Sequence, residues 1–283
     1  MKICTDAAAL HRALARLNRQ ARALVPTMGH VHEGHLALLR AARTRAPVTI
    51  ASLYVNPLQF GAGEDFAAYP RTFNADCEAF ARGGCDILFC PQERDIYPQG
   101  AAAEPVIRSG AKGRMLEGAV RPGHFDGVLT VLNRLFQLVA PTYALFGAKD
   151  FQQQFLVRRF AARAFPDLQI VTIPTARTAA GLALSSRHAY LDAAQLARAE
   201  AFFPILQELA AQVQRHKGRF VAHANDAKRQ LKAAGLAPDY VAIRTADTLD
   251  APRRGCAAGT ALVALAAVRL GTTRLLDNLS FAL

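Results

Sequence analysis

The chain has 283 residues, of which 52% are apolar and 20% charged, a balance that excludes a mainly disordered protein and, at about 150 residues per domain, predicts one large domain or two modest ones. Its net charge of +12 favours anionic partners, but the basic residues are spread along the chain and not gathered into an arm, which points to an anion-binding cleft and away from a nucleic-acid footprint. No run approaches the ~18 apolar residues of a membrane span, the stretch from Met1 to Asp6 lacks a secretory core, and the five cysteines have no CxxC spacing, so the expectation is a cytoplasmic chain with reduced thiols and no zinc.

Leu10, Leu14 and Leu17 recur at helical spacing behind a Thr5 or Asp6 cap. Leu24 to Pro26 reads as a short strand, followed by a helix from about His32 to Arg45. Val48 to Val55 is apolar, rich in β-branched residues and closed by Asn56-Pro57, as expected of a buried parallel strand. The alternation continues with a helix near Asn74 to Arg82, a strand from Ile87 to Cys90, a helix near Val128 to Val139 and a strand from Tyr143 to Phe146. A helix from Phe151 to Ala164 and a strand from Gln169 to Ile173 complete it. Strands separated by helix-length segments predict βαβ units, hence an α/β fold with a Rossmann-like doubly wound parallel sheet over residues 1–174. Beyond Pro174 the order is a loop with Ser185-Ser186-Arg187, a long helix from Asp192 to Arg215, a second near Ala222 to Ala234, and strands near Tyr240 and Leu262. This predicts a smaller α+β domain over residues 175–283, able to close over the sheet as a lid.

The segment from Pro26 to His35 (PTMGHVHEGH) lies where the first strand hands over to a helix, a position at which N–H groups and the helix dipole favour an anion. Gly29 and Gly34 allow close approach of a ligand. His32 and His35, three apart, share a face and can donate to one phosphate chain; a pair of surface histidines is the bland alternative, and zinc would want i,i+4 spacing and a third ligand. Gly147-Ala148-Lys149-Asp150 is a second strand-to-helix turn, with Lys149 suited to phosphate and Asp150 to ribose hydroxyls, or simply to capping the next helix. Ser185, Ser186 and Arg187 form a phosphate-binding set or an ordinary polar loop. Gln59 and Gln153 are neutral amides suited to a carboxylate and hydroxyls. Tyr69-Pro70-Arg71-Thr72 and Arg121-Pro122-Gly123-His124-Phe125 read equally well as structural turns.

In chain order, PTMGHVHEGH, VNPLQFGAGEDFAAYPRT, LEGAVRPGHFDGVLTVLNRLFQLV, FGAKDFQQ, GLALSSRHAYL and GTTRLLDNL resemble the pantothenate synthetase family, of the nucleotidylyl transferase superfamily with a HIGH-type motif. The resemblance implies an ATP-dependent ligase that condenses (R)-pantoate with β-alanine through pantoyl adenylate, releasing AMP and pyrophosphate. It implies His32, His35 and Lys149 as catalytic, with His35 the proton donor. ATP would be bordered by Met28, Gly29, His32, Gly34, His35, Ala176 and Leu184, its triphosphate held by Lys149, Ser185, Ser186 and Arg187, and its ribose by Gly147 and Asp150. Gln59 and Gln153 would take pantoate, with Gln59 also near β-alanine. Mg2+ would accompany ATP, with no protein ligand assigned and Asp76 a weak candidate. A homodimer is implied, with no nucleic-acid or membrane partner. The chain departs from the family pattern at Leu58, Ala148, Ala176, Leu184 and His188; Ala148 deprives Lys149 of an acidic neighbour. Two other readings are another HIGH-type transferase with a different acceptor, disfavoured by the paired glutamines, and a basic RNA-binding protein, disfavoured by the absence of tryptophan and of any RNA module.

Overall fold

The computed structural model describes residues 1–17 and 20–283, which fall into two compact units, Met1–Pro174 and Thr175–Leu283. The first contains strands β1 (Lys2–Cys4), β2 (Arg22–Thr27), β3 (Val48–Leu53), β4 (Ile87–Phe89), β5 (Tyr143–Gly147) and β6 (Gln169–Ile173). Its helices are α1 (Ala7–Ala15), α2 (Glu33–Arg43), α3 (Phe73–Arg82), α4 (Glu93–Ile96), α5 (Glu117–Val120), α6 (His124–Val139) and α7 (Phe151–Ala164). All six strands are parallel in the order β1-β4-β3-β2-β5-β6.

The alternation of side chains along each strand explains why helices cover both faces. Leu24, Ile50, Phe89, Ala144 and Phe146 pack against Leu10 and Leu14 of α1, Leu132 and Phe136 of α6 and Phe160 of α7. Ala23, Val25, Ala51, Leu88 and Leu145 point the other way, onto Leu38 and Leu39 of α2 and Phe80 of α3. Leu24, Ile50 and Leu39 are wholly buried, each contributing about 1.5–3 kcal/mol of hydrophobic stabilisation.

The second unit has α8 (Ala193–Ala199), α9 (Phe202–Arg215), α10 (Phe220–Ala233), β7 (Ala237–Thr245), β8 (Ala261–Leu270) and β9 (Thr273–Ala282). The strands form an antiparallel meander, and Leu206, Leu209 and Val213 of α9 with Ala227 and Leu231 of α10 pack on Leu262, Ala264, Ala266 and Val268 of β8.

The single helix expected from Asp192 to Arg215 is two helices. Pro204 has no N–H for the carbonyl of Glu200 and its ring crowds that carbonyl, so the chain turns at residues 200–201 and restarts with the proline in its first turn. Two strands escaped the sequence reading, β1 because three residues carry too little pattern, and β9 because its mixed polarity, with Asp277 and Asn278 buried, hides the period of two.

Candidate active site

The strand order reverses between β2 and β5, and open α/β sheets bind ligands outside the carboxyl ends of their strands at that switch point. β2 pairs with β5 only at Ala23 and Leu24. The two strands therefore part before Pro26, which could not have donated to a further rung. The loop after β2 and the 3-10 turn Ala148–Asp150 after β5 both leave the sheet at this crevice.

The loop after β2 is held almost entirely by its own protein. The Thr27 hydroxyl donates to the Ser52 carbonyl (2.7 Å) and accepts from the Gly29 N–H (3.3 Å). Gly29 has φ +88°, and a Cβ there would lie 2.7 Å from Leu53 Cδ1 and 2.9 Å from Asp76 Oδ2, so glycine is required by backbone conformation and by space. The N–H groups of His30 and Val31 donate to the buried Asp76 carboxylate at 3.0 and 2.7 Å. His32 caps α2: its Nδ1 accepts from the Gly34 N–H (3.1 Å), while His35 Nδ1 accepts from the His32 N–H (3.3 Å). The amides expected to cradle an anion are thus largely engaged within the loop.

The reciprocal cap fixes the chemistry of both rings. An Nδ1 that accepts a main-chain N–H carries no proton, so each neutral ring bears its hydrogen on Nε2. The rings lie 4.1 Å apart, tilted by 33°, and present two donors that can act together. Part of the His35 surface stays open, yet the atoms crowded around the ring hold its pKa well below the usual imidazole range, with the charges of His32, Lys149 and His30 adding to the effect. His35 is accordingly a neutral donor at pH 7.

Gln59 is buried on the 3-10 turn Pro57–Gln59 that follows β3. Its Oε1 accepts from Asn56 Nδ2 (3.1 Å), and Asn56 Oδ1 in turn accepts from the wholly buried Tyr97 hydroxyl (2.7 Å). This chain orients the amide so that Nε2 is the group Gln59 can offer, and Nε2 donates to the weak acceptor Met28 Sδ (2.9 Å). The Gln59 carbonyl accepts from Arg121 Nη2 (3.1 Å) and from His124 Nδ1 (2.8 Å). Arg121 also grips Glu64 through two bonds of 2.8 and 2.6 Å. Burial would raise the Glu64 pKa, but hydrogen bonds and charge from Arg121 outweigh it and hold the carboxyl below its usual range. Burial, then the Arg121 charge, push His124 down to about 3. The neutral ring donates from Nδ1 and is open at Nε2 to Arg121 Nη1 (3.1 Å). The segment Arg121 to Phe125, legible only as a turn, is in fact the clamp on the Gln59 backbone.

The run Gln152-Gln153-Gln154 shows what sequence could not separate. Gln152 is buried, accepting from the Glu117 N–H (3.1 Å) and donating to the Lys112 and Met115 carbonyls (2.8 Å each). Gln154 is buried against Thr172 Oγ1 (2.5 Å). Gln153 alone of the three stays partly exposed. Asp150 stands at the N-cap of α7, but its side chain makes no capping bond. Gly147 has open space where a Cβ would stand.

In the second unit, the Leu184 N–H donates to the Ala176 carbonyl (2.9 Å), and Ser185 caps a short turn by accepting from the Arg187 N–H (3.3 Å). The loop is anchored by Arg177, which forks onto the buried Asp277 at 2.6 and 2.9 Å, donates to the Gly181 carbonyl (2.9 Å) and lies 3.5 Å over the Phe203 ring. Asn56, Arg121, His124, Arg177 and Asp277 carry no catalytic or binding role legible in the sequence, and Asp76 only a weak one as a metal ligand; all lie in or near the quoted motifs, but their work is to hold other residues.

Residues 2–280 match the family model described as Pantoate-beta-alanine ligase. The chain is 46% identical over 257 residues to the pantothenate synthetase of Thioalkalivibrio sulfidiphilus, covering 91% of this chain and 89% of that one. It resembles the crystal structure of pantothenate synthetase from Thermus thermophilus with a TM-score of 0.88 and 39% identity, each chain covered to 99%. The pantoate-beta-alanine ligase of Francisella tularensis, solved with beta-gamma ATP and beta-alanine, superposes with a TM-score of 0.81 at 29% identity, covering 99% of this chain and 97% of that one.

Proposed function

This chain belongs to the pantoate-beta-alanine ligase family, and we propose that the crevice between β2 and β5 is the place where its reaction runs. The chain is an enzyme that forms pantothenate from pantoate and β-alanine with ATP. In the first half-reaction a pantoate carboxylate oxygen attacks the ATP α-phosphorus, and pyrophosphate leaves with the electron pair of the broken P–O bond. In the second, the β-alanine amine attacks the acyl carbon of pantoyl adenylate, AMP departs, and the amine gives up a proton.

The observation that carries the assignment is the pair of Nε2–H donors fixed by the reciprocal histidine cap at the switch point. Neutral imidazoles bind weakly to phosphate oxygens at rest and more strongly as charge accumulates on leaving pyrophosphate. His35 thus acts by donating a hydrogen bond, with Lys149 as a compact positive charge beside it. Gln59 Nε2 and the Gln153 amide take the pantoate carboxylate and hydroxyls, with β-alanine arriving near Gln59. Gly147 and Asp150 take ribose, and the main chain around Met28, Gly29 and Gly34 borders the nucleotide. Phosphate binding by Ser185, Ser186 and Arg187 rests on their donor chemistry and on the family resemblance.

ATP would bring Mg2+ as its metal complex, and the ion would supply charge neutralisation for the departing pyrophosphate. Asp76 does not fit as its ligand, since three hydrogen bonds already occupy that buried carboxylate, and among the described residues no group of three His, Cys, Asp or Glu side chains gathers. We assign the chain to the cytoplasm as a homodimer; no helix among the described residues is long and apolar enough to cross a membrane, and light scattering should give twice the 30.5 kDa chain mass. No binding of RNA that weakens steeply with salt is expected.

The decisive assay supplies purified protein with ATP, magnesium and pantoate, with and without β-alanine. Pantothenate and stoichiometric AMP only when every substrate is present is the expected result; folded protein that turns over none of them would overturn the reading.

A further inference from the structure

We infer that Asp76 is a positioning residue for the adenylation step, acting through the loop that carries His32 and His35 and never touching substrate. The inference rests on the function just assigned and adds a residue to it. Asp76 sits in the first turn and a half of α3 and is 2% exposed. Its Oδ1 accepts from the Val31 N–H at 2.7 Å, and its Oδ2 accepts from the His30 N–H at 3.0 Å and the Thr72 hydroxyl at 3.1 Å.

Two successive main-chain N–H groups converging on one carboxylate require an unusual backbone, and His30 supplies it with φ +51°. A non-glycine residue in the left-handed region is unfavourable by itself and persists where its surroundings over-determine it. Here the surroundings are Asp76, together with Gly29, whose missing Cβ lets the carboxylate approach. The next residue after Val31 is His32, whose N–H and Nδ1 make the reciprocal cap. The carboxylate therefore fixes the point from which the cap starts, and the cap fixes where both Nε2–H bonds point. Charge is part of the design: an ionised carboxylate accepts at both oxygens, whereas an amide of the same shape has one acceptor and turns N–H donors toward the donating main chain.

The test is Asp76→Asn, with Thr72→Val as a milder variant that removes one bond and keeps the shape. Adenylation is read as pyrophosphate release from ATP and pantoate, and the second half-reaction as aminolysis of pantoyl adenylate supplied ready-made. Misplacing donors by a fraction of an ångström lowers a rate by up to about 100-fold. Asp76→Asn should thus slow adenylation by roughly 10- to 100-fold, leave the pantoate KM unchanged, and leave aminolysis near the unmodified rate. Thr72→Val should show the same split, only smaller. Nitrogen NMR of the imidazoles gives a readout independent of turnover, because the unmodified protein should show both rings as Nε2–H tautomers and Asp76→Asn a mixture. Equal losses in both half-reactions with unchanged tautomers would mean a merely structural carboxylate and overturn the inference. A shift in the magnesium concentration needed for half-maximal rate would make Asp76 a metal ligand and overturn it as well. Failure of the unmodified enzyme to form pantoyl adenylate at all would instead defeat the functional reading, which keeps the two distinguishable.

Discussion

Removing a donor aimed at developing charge lowers a rate by about 10²–10³-fold, and His35→Ala and Lys149→Ala should each slow adenylation by that much in a single-turnover assay. Burial and neighbouring charge keep His35 neutral far into acid. A group whose pKa is depressed this way loses its working form only as pH falls through that lowered value, so adenylation should hold its rate from pH 7 to pH 6 with no limb at the ordinary imidazole pKa. The glutamine run offers a paired test. Gln153→Ala should raise the pantoate KM and leave the melting temperature alone, while Gln152→Ala, which strands the Glu117 N–H and two carbonyls, should destabilise by about 1–3 kcal/mol in denaturant melts. Sequence supplied the residue types here but not this division: three identical letters in a row differ only by the helical angle at which each meets the core.

The contact between α6 and the turn that carries Gln59 is an element-scale device. Gly127 lies on the α6 face against that turn, and a Cβ there would stand 2.2 Å from the Leu58 carbonyl oxygen. Gly127→Ala must push the turn away, so a raised pantoate KM together with a lower melting temperature is expected. His124, at the start of α6, adds a pH dependence. Its pKa is about 3 in the fold against about 6.5 in an unfolded chain. Between those values the unfolded chain takes up a proton that the folded one refuses, so stability falls as pH drops below about 6.5, by at most about 1.4 kcal/mol per unit. Melts of His124→Asn against the unmodified protein should show a shallower loss between pH 6.5 and 4.5; parallel curves would remove His124 from that role. The alternating helices and strands of the sheet were legible because burial on two faces writes itself as apolar runs at regular spacing. The β1 strand, β9 and the break at Pro204 were not, since each depends on partners distant in sequence or on one missing N–H.

At the scale of the molecule, the two units carry separate cores, and the second is tied internally by Arg177 and Asp277. Asp277→Ala leaves the guanidinium partly buried without its carboxylate, a loss of about 3–5 kcal/mol for a buried pair. Calorimetry should show the unfolding of residues 175–283 moved to lower temperature. The same change says why GTTRLLDNL is a motif although no residue of it was assigned to substrate. Over a complete turnover, the engaged amides of the loop after β2 have a further effect. An open nest of main-chain N–H groups at a helix start would offer several fixed donors to any anion that reached it. With those amides occupied inside the protein, the function proposed above leaves the departing pyrophosphate to the side chains of His32, His35 and Lys149. On that reading the first product meets few fixed main-chain donors from the loop, and its departure would clear the crevice for the amine while the reactive adenylate waits.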